Sequence, residues 1–213
     1  MSYSTLATDY DGTLAHAGRV DGPTVAGLES LRQAGWKLVL VTGRNLDDVG
    51  RAFPALALFD RVVAENGALL AGRDGALSLL GQPPGEELLE ALRQRNVPFS
   101  TGRVIVHTLR AYERRVAEAV AASGAGVEVS LNKGALMLLP AGVDKGAGLR
   151  AALAELEVDP GAAVGVGDAE NDLPFLELCG LAYACGDALA AVRSAAGRYT
   201  PSVLDLIGEL LPG

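Results

Sequence analysis

Short runs of Val, Leu and Ala alternate with segments of helical periodicity along most of this chain, and that alternation predicts a parallel β-sheet covered by helices. "YSTLATD" reads as the first strand. In "GPTVAGLESLRQAG", Pro23 marks a helix start, Val25, Leu28 and Leu31 recur at helical spacing, and Gly35 is the stop. "WKLVLVT" then reads as a buried strand. A short helix from Asn45, a strand at "RVVAEN" and a hairpin across "ALLAGRDGALSLL", turning at "RDG", follow. After Ala141 come a helix from Asp144, a strand at "AAVGVG", a helix through "LPFLEL", a strand at "LAYAC" and two further helices. The expected class is α/β, with a doubly wound parallel sheet.

"QPPG" interrupts the alternation, because paired prolines beside glycines favour a linker. Beyond it the order changes. A helix "EELLEALRQR", a strand "RVIVHT", a helix "AYERRVAEAVAAS" and adjacent strands "GVEVSL" and "ALMLLP" around "NKG" imply antiparallel pairing. Residues 82–140 are therefore expected to form a small α+β insert, and residues 1–81 with 141–213 the main unit. A chain of 213 residues that is 49% hydrophobic can bury one substantial core and a small second one. Its formal net charge of -8 argues against nucleic acid and anionic membrane as partners and favours a small molecule. No apolar run is long enough to span a bilayer, so the expectation is a soluble, cytoplasmic protein. Cys179 and Cys185 are expected as reduced thiols, since a chain of this size folds without staples.

In a doubly wound sheet, ligands bind beyond the carboxyl ends of the strands, so the residue that follows each apolar run is the informative one. Here those residues are polar: Asp9, Thr42, Glu65 with Asn66, and Asp168. Asp9 and Asp11 share a face if the strand continues, and their repulsion calls for water, a retained proton or a cation. A calcium loop opening at "DYDG" fails where its closing Glu is needed, because Val20 stands there. Thr42 and nearby amides in "VTGRN" can cradle an anion, or Thr42, Gly43 and Asn45 can simply make a turn and cap a helix. Arg44 suits either a substrate contact or a surface ion pair. "GVGDAENDLPF" adds Asp168, Asn171 and Asp172 at a second strand end; two acidic clusters on one sheet edge point to a hard cation such as magnesium. Lys145 opposes the dipole of its helix, so something anionic should compensate it.

Taken together, "DYDGTL", "VTGR", "DKG" and "GDAENDLPFL", in that order, resemble the motifs of the haloacid dehalogenase-like superfamily of phosphohydrolases. The insert between the second and third motifs, and "ENGA" at Glu65 to Ala68, resemble its Cof-type branch, with a Rossmann-like core and an αβ cap. The resemblance implies a magnesium-dependent phosphatase acting on a small phosphorylated metabolite such as a sugar phosphate or phosphoglycolate. Asp9 would be the nucleophile forming an aspartyl-phosphate, and Asp11 would protonate the leaving oxygen and then activate water. Thr42, Gly43, Arg44, Asn66, Lys145 and Asn171 would bind substrate, with Thr42 and Lys145 also serving the chemistry. Asp9, the carbonyl of Asp11 and Asp168 would hold magnesium, with Asp172 and Asn171 positioning the ion or its waters. A phosphotransferase or mutase would share the same intermediate, and a non-catalytic phosphometabolite sensor would share only the scaffold. In the cap, Arg103, His107, Arg110 and Lys133 are candidate substrate contacts. Where this branch often has "GNA", this chain reads "GDA", so Asp187 places an acid at a neutral position; it would weaken phosphate binding if it faced the site and be harmless as a helix cap.

Overall fold

The computed structural model describes residues 3–211. Its first strand, β1 (Thr5–Thr8), is buried throughout and leads into α1 (Gly22–Gln33), where the Asp21 carboxylate accepts the Thr24 amide at 2.8 Å and Pro23 occupies the first turn. Leu28 and Leu31 turn inward and anchor α1, each burial contributing roughly 2 kcal/mol. Next come β2 (Lys37–Val41), α2 (Leu46–Ala52), β3 (Arg61–Ala64), β4 (Leu69–Gly72) and β5 (Leu77–Leu79). The expected hairpin is β4 with β5. It is antiparallel to β3 as well, and so extends the main sheet.

The insert contains α3 (Glu86–Gln94), β6 (Ser100–Thr101), β7 (Val106–Leu109), α4 (Glu113–Ser123), β8 (Val127–Asn132) and β9 (Ala135–Pro140). Its strands form a separate antiparallel sheet in the order β6-β7-β9-β8. The sheet has its own core, in which Leu88, Leu92 and Val116 from the helices pack on Val106, Leu136 and Leu138. A seam of Ala68, Val104, Ile105, Met137, Leu139 and Val143 joins it to the rest of the chain.

The chain then returns through α5 (Lys145–Glu155), β10 (Ala163–Gly167), α6 (Leu173–Leu178), β11 (Leu181–Cys185), α7 (Ala190–Ala196), β12 (Gly197–Thr200) and α8 (Val203–Leu210). The central sheet runs β12-β11-β10-β1-β2-β3-β4-β5, parallel from β12 to β3. Its fold is the expected α/β class. Two expectations need correction. The tail carries the two helices but also β12 between them, and the insert gains β6; "GRYT" and "ST" are short, largely exposed edge segments without an apolar run to announce them.

From β1 the chain steps to β2 and β3 on one side, while β10, β11 and β12 lie on the other. The order thus reverses at β1, and the crevice beyond β1 and β10 is where a ligand has room between diverging connections. Thr8 pairs with Val166 and the Asp9 amide donates to the Val166 carbonyl at 3.0 Å, so the residues that follow, Asp9 and Asp168, emerge side by side.

Candidate active site

Carboxylate oxygens of Asp9, Asp168 and Asp172 lie within 4.8 Å of one another, and all three residues are buried. Lys145, at the start of α5, sends its ammonium among them, 2.5 Å from Asp9 Oδ1 and 2.6 Å from Asp172 Oδ1. The cost of that lysine in a first helical turn is thereby offset by two acids. Burial works against the Lys145 ammonium, but Asp172 and Asp9 outweigh it and hold its pKa above the ordinary lysine value. Asp9 shifts in the same direction. Burial, then the like charge of Asp172, pushes its carboxyl up to about 8 despite Lys145, because two acids share one ammonium.

Local backbone makes this crowding possible. Gly12, at φ +86°, passes so near Asp168 that a Cβ there would stand 2.5 Å from Oδ2. Thr13 donates its hydroxyl to Asp168 Oδ1 at 3.1 Å. Asp172 Oδ2 accepts the amides of Asp168 and Ala169 at 2.8 and 2.9 Å, which ties the loop after β10 to the start of α6. The Asn171 side chain donates to Asn66 Oδ1 at 2.7 Å, but its own buried carbonyl oxygen has no partner among the described residues.

Asp11 stands apart from this cluster. Arg44 grips it with two bonds, Nε to Oδ2 at 2.7 Å and Nη2 to Oδ1 at 2.6 Å, and lies 4.9 Å over the Tyr10 ring. Arg44 is thus engaged in an ion pair with Asp11. Thr42 is buried and its hydroxyl accepts the Arg44 amide at 3.1 Å, which is the turn-making role. Asn45 sits at the N-cap of α2 but makes no capping bond; its Oδ1 lies 3.1 Å from His107 Nε2. Helix α2 has only seven residues, with Asp47 and Asp48 in its first turn, so its positive end is already matched.

The haloacid dehalogenase-like hydrolase family matches residues 6–104 and 112–205, nearly the whole chain. The chain belongs to that family. This hydrolase is thus an enzyme of the Cof-type branch that its motifs resemble. It is similar to the phosphoglycolate phosphatase of Halorubrum lacusprofundi, 34% identical over 210 residues that cover 90% of this chain and 88% of that one. It is also similar to the phosphoglycolate phosphatase of Methanopyrus kandleri, 30% identical over 215 residues, or 95% of this chain and 90% of that one. Among solved structures, a haloacid dehalogenase-like hydrolase from Bacteroides thetaiotaomicron has the same fold, with a TM-score of 0.83 at 18% identity over 99% of this chain and 100% of that one.

A cavity of about 340 Å³ opens where the hydrolase's insert faces the strand ends, bordered by Asp9, Asp11, Gly43 and Arg44 below and by His107 and Met137 above. A larger hollow of about 630 Å³ lies between α2 and the β4–β5 hairpin, lined largely by apolar groups such as Leu46, Phe59 and Leu77 and by none of the clustered acids. Of the four insert residues singled out, His107 borders the smaller cavity and Lys133 reaches Asp168. Arg103 and Arg110 do neither: they lie 3.9 Å from Asp47 and 3.7 Å from Glu113. Asp187 is exposed and lies beside Asp168 and Lys133 in a neighbouring hollow, while Leu189 is the N-cap residue of α7, so Asp187 is not the helix cap.

The sequence marks Glu65 only as a polar strand end and Thr13 only within the first motif, and announces the contacts of neither. The Glu65 carboxylate accepts the amides of Arg103, Val104 and Ile105 at 2.8, 2.8 and 3.2 Å, pinning the insert to the end of β3. Glu65 and Asn66 both have positive φ, at 50° and 55°, and Gly67 follows at 104° because a Cβ would collide with the Asp144 carbonyl. An acid at a strand end beside Asn and Gly was the available signal. Its partners, some forty residues away in sequence, were not visible.

Three buried carboxylates, with the Lys145 ammonium among them and Lys133 reaching Asp168 from the insert, form an all-oxygen donor set with excess negative charge, and the Asn171 oxygen, unpartnered among the described residues, adds a neutral donor nearby. These residues fit a hard divalent cation such as magnesium. The Cys179 and Cys185 thiols are both free, each pushed up to about 12 by burial, and neither belongs to the cluster.

Proposed function

We propose that this phosphatase hydrolyses a small phosphate monoester of the phosphoglycolate type, with magnesium and an aspartyl-phosphate on Asp9. The observation that carries the reading is the position of the Asp9 carboxylate: at the sheet's switch point, bonded to Lys145, beside Asp168 and Asp172, and open to a cavity that suits a small ester. The relatives named phosphoglycolate phosphatase support the choice of ester. In this reading residues 1–81 and 141–213 form the catalytic core and residues 82–140 a cap that closes over it. Free thiols accord with a cytoplasmic enzyme.

A phosphate dianion repels a carboxylate nucleophile, so the approach needs positive charge on both sides. Lys145 supplies one charge and fixes the Asp9 oxygen it touches. Magnesium, held by Asp9, Asp168 and the Asp11 carbonyl with Asp172 and Asn171 behind them, would supply the other. The free oxygen of Asp9, ionised, attacks phosphorus, the bond from phosphorus to the ester oxygen breaks, and Asp11 passes that oxygen a proton it takes up from solvent on leaving Arg44. Water then attacks phosphorus, Asp11 takes its proton, and the bond to Asp9 breaks to release inorganic phosphate. Asp11 must leave Arg44 to do this, so substrate entry and release of that pair belong to one event. Thr42, Gly43 and Asn66 complete the phosphoryl cradle, and Arg44, freed from Asp11, joins them.

The test is phosphate release from 2-phosphoglycolate with magnesium and with chelator. Turnover that chelator stops is expected, with a covalent phosphate trapped on Asp9. Absence of turnover with magnesium overturns the reading. A phosphorylated acceptor alcohol in place of free phosphate would instead make the enzyme a transferase.

A further inference from the structure

The turn between β8 and β9 carries Lys133 in the left-handed conformation, φ 52°, an uncommon backbone for a residue with a long side chain. Its amide donates to Glu170 Oε2 at 3.1 Å, and its ammonium lies 2.5 Å from Asp168 Oδ2. The insert thus places a cation directly on an acid of the candidate metal centre. The contact is asymmetric, since the Lys133 side chain is 46% exposed and that of Asp168 only 2%.

The other cations at the site are committed. Lys145 is buried between Asp9 and Asp172, and Arg44 takes both oxygens of Asp11. With Asp9 ionised, the Asp9, Asp168 and Asp172 carboxylates set against Lys145 leave an excess of two negative charges, which one divalent cation balances. With that cation in place, Lys133 is a surplus ammonium facing a like charge across a single carboxylate, and repulsion favours its release. Lys133 borders the neighbouring hollow with Asp168 and Asp187, and its sequence neighbour Asn132 lines the cavity above Asp9, so the freed ammonium has only to cross from one hollow to the other to meet the leaving group of an ester. A neutral leaving group has no use for it; a carboxylate on that group pairs with it.

We propose that Lys133 selects for a phosphate ester whose leaving group bears a carboxylate, moving from Asp168 to the substrate when the divalent cation binds. The proposal rests on the phosphatase reading above and names the residue that recognises the carboxylate of a phosphoglycolate-type ester. It gives the exposed, single contact of Lys133 a purpose that a permanent structural pair would not need.

Two esters of the same carbon skeleton test it: 2-phosphoglycolate, and 2-hydroxyethyl phosphate, which lacks the carboxylate. In Lys133→Gln the ratio of kcat/KM for the first to the second is expected to fall about ten- to a hundredfold, the range for a charge-assisted bond. Lys133→Arg restores most of the preference. Manganese binding without substrate, followed by calorimetry, gives a readout independent of turnover. Removing the competing ammonium should tighten it about two- to fivefold, the scale of a half-exposed ion pair. Equal losses on both esters, or unaltered manganese affinity, overturn the inference and leave the phosphatase reading intact. A wild-type enzyme that turns over neither ester defeats both.

Discussion

Lys145 and Lys133 end on the same acidic cluster from opposite regions of the molecule. The first opens a core helix, is fully buried and holds two carboxylates; the second tips an exposed hairpin of the insert and holds one. The core contact follows from the sheet: once β1 and β10 pair in register, Asp9 and Asp168 have nowhere else to go. The insert, by contrast, reaches the site through single polar contacts, Lys133 to Asp168, Asn66 to Ser130 and His107 to Asn45, around an apolar seam and the Glu65 clamp. Desolvated charge in the core makes those interactions large and fixed. Half-solvated charge in the insert makes its contacts exchangeable, as closure over a substrate requires.

The largest effect should come from the core. Asp9→Asn keeps the volume and still lets Lys145 pair with Asp172, but it removes the nucleophile. Turnover of a generic aryl phosphate is expected to fall about a thousandfold or more while the circular dichroism spectrum and melting temperature stay near wild type. Residual turnover within tenfold of wild type would mean that another group attacks phosphorus, and the contrast between core and insert would lose its chemical meaning.

Lys145→Met tests the same region through stability. It leaves Asp9 and Asp172 buried together without their shared cation, the situation in which a broken buried pair costs about 3–5 kcal/mol. Urea unfolding in chelator should show that loss, and magnesium should recover part of it by supplying charge to the same oxygens. A loss below about 1 kcal/mol would show that water already screens the cluster.

Much of this core was legible because apolar strands ending in polar residues are a local pattern, and β-strand order then carries those residues to one edge. Asp9, Lys145, Asp168 and Asp172, which the fold brings together, stand out in the sequence that way or through the four motifs. What stayed hidden was pairing across distance. Nothing near Arg44 announces that it grips Asp11, and nothing near Lys133 announces Asp168. The short strands β6 and β12 were missed for a related reason: their place in a sheet depends on neighbours, since their own residues are polar and exposed.

Glu65 joins the two regions, and Glu65→Gln sharpens the comparison. The carboxylate accepts three backbone amides, whereas a glutamine offers one neutral oxygen and turns a donor toward the rest. A loss of about 1–3 kcal/mol is expected, concentrated in the insert. Hydrogen exchange should show the amides of residues 103–105 losing protection while the strands of the central sheet keep theirs. Uniform loss across both sheets would mean that the insert and core unfold as one unit.

The smallest effect concerns His107 and acid. Burial lowers its pKa below the ordinary histidine value, against the opposing pull of the Glu65 and Asp48 carboxylates, so the docked ring resists protonation. An unfolded or undocked His107 takes its proton near the usual 6.5. Stability from this group is therefore present above that value and lost as pH falls from 6.5 toward the depressed pKa of the docked ring. Between pH 7.5 and 5.5 the wild-type urea midpoint should drop further than that of His107→Gln, which has nothing to titrate there. Parallel curves would mean that His107 is already solvated, and that its 3.1 Å approach to Asn45 does nothing to hold the insert down.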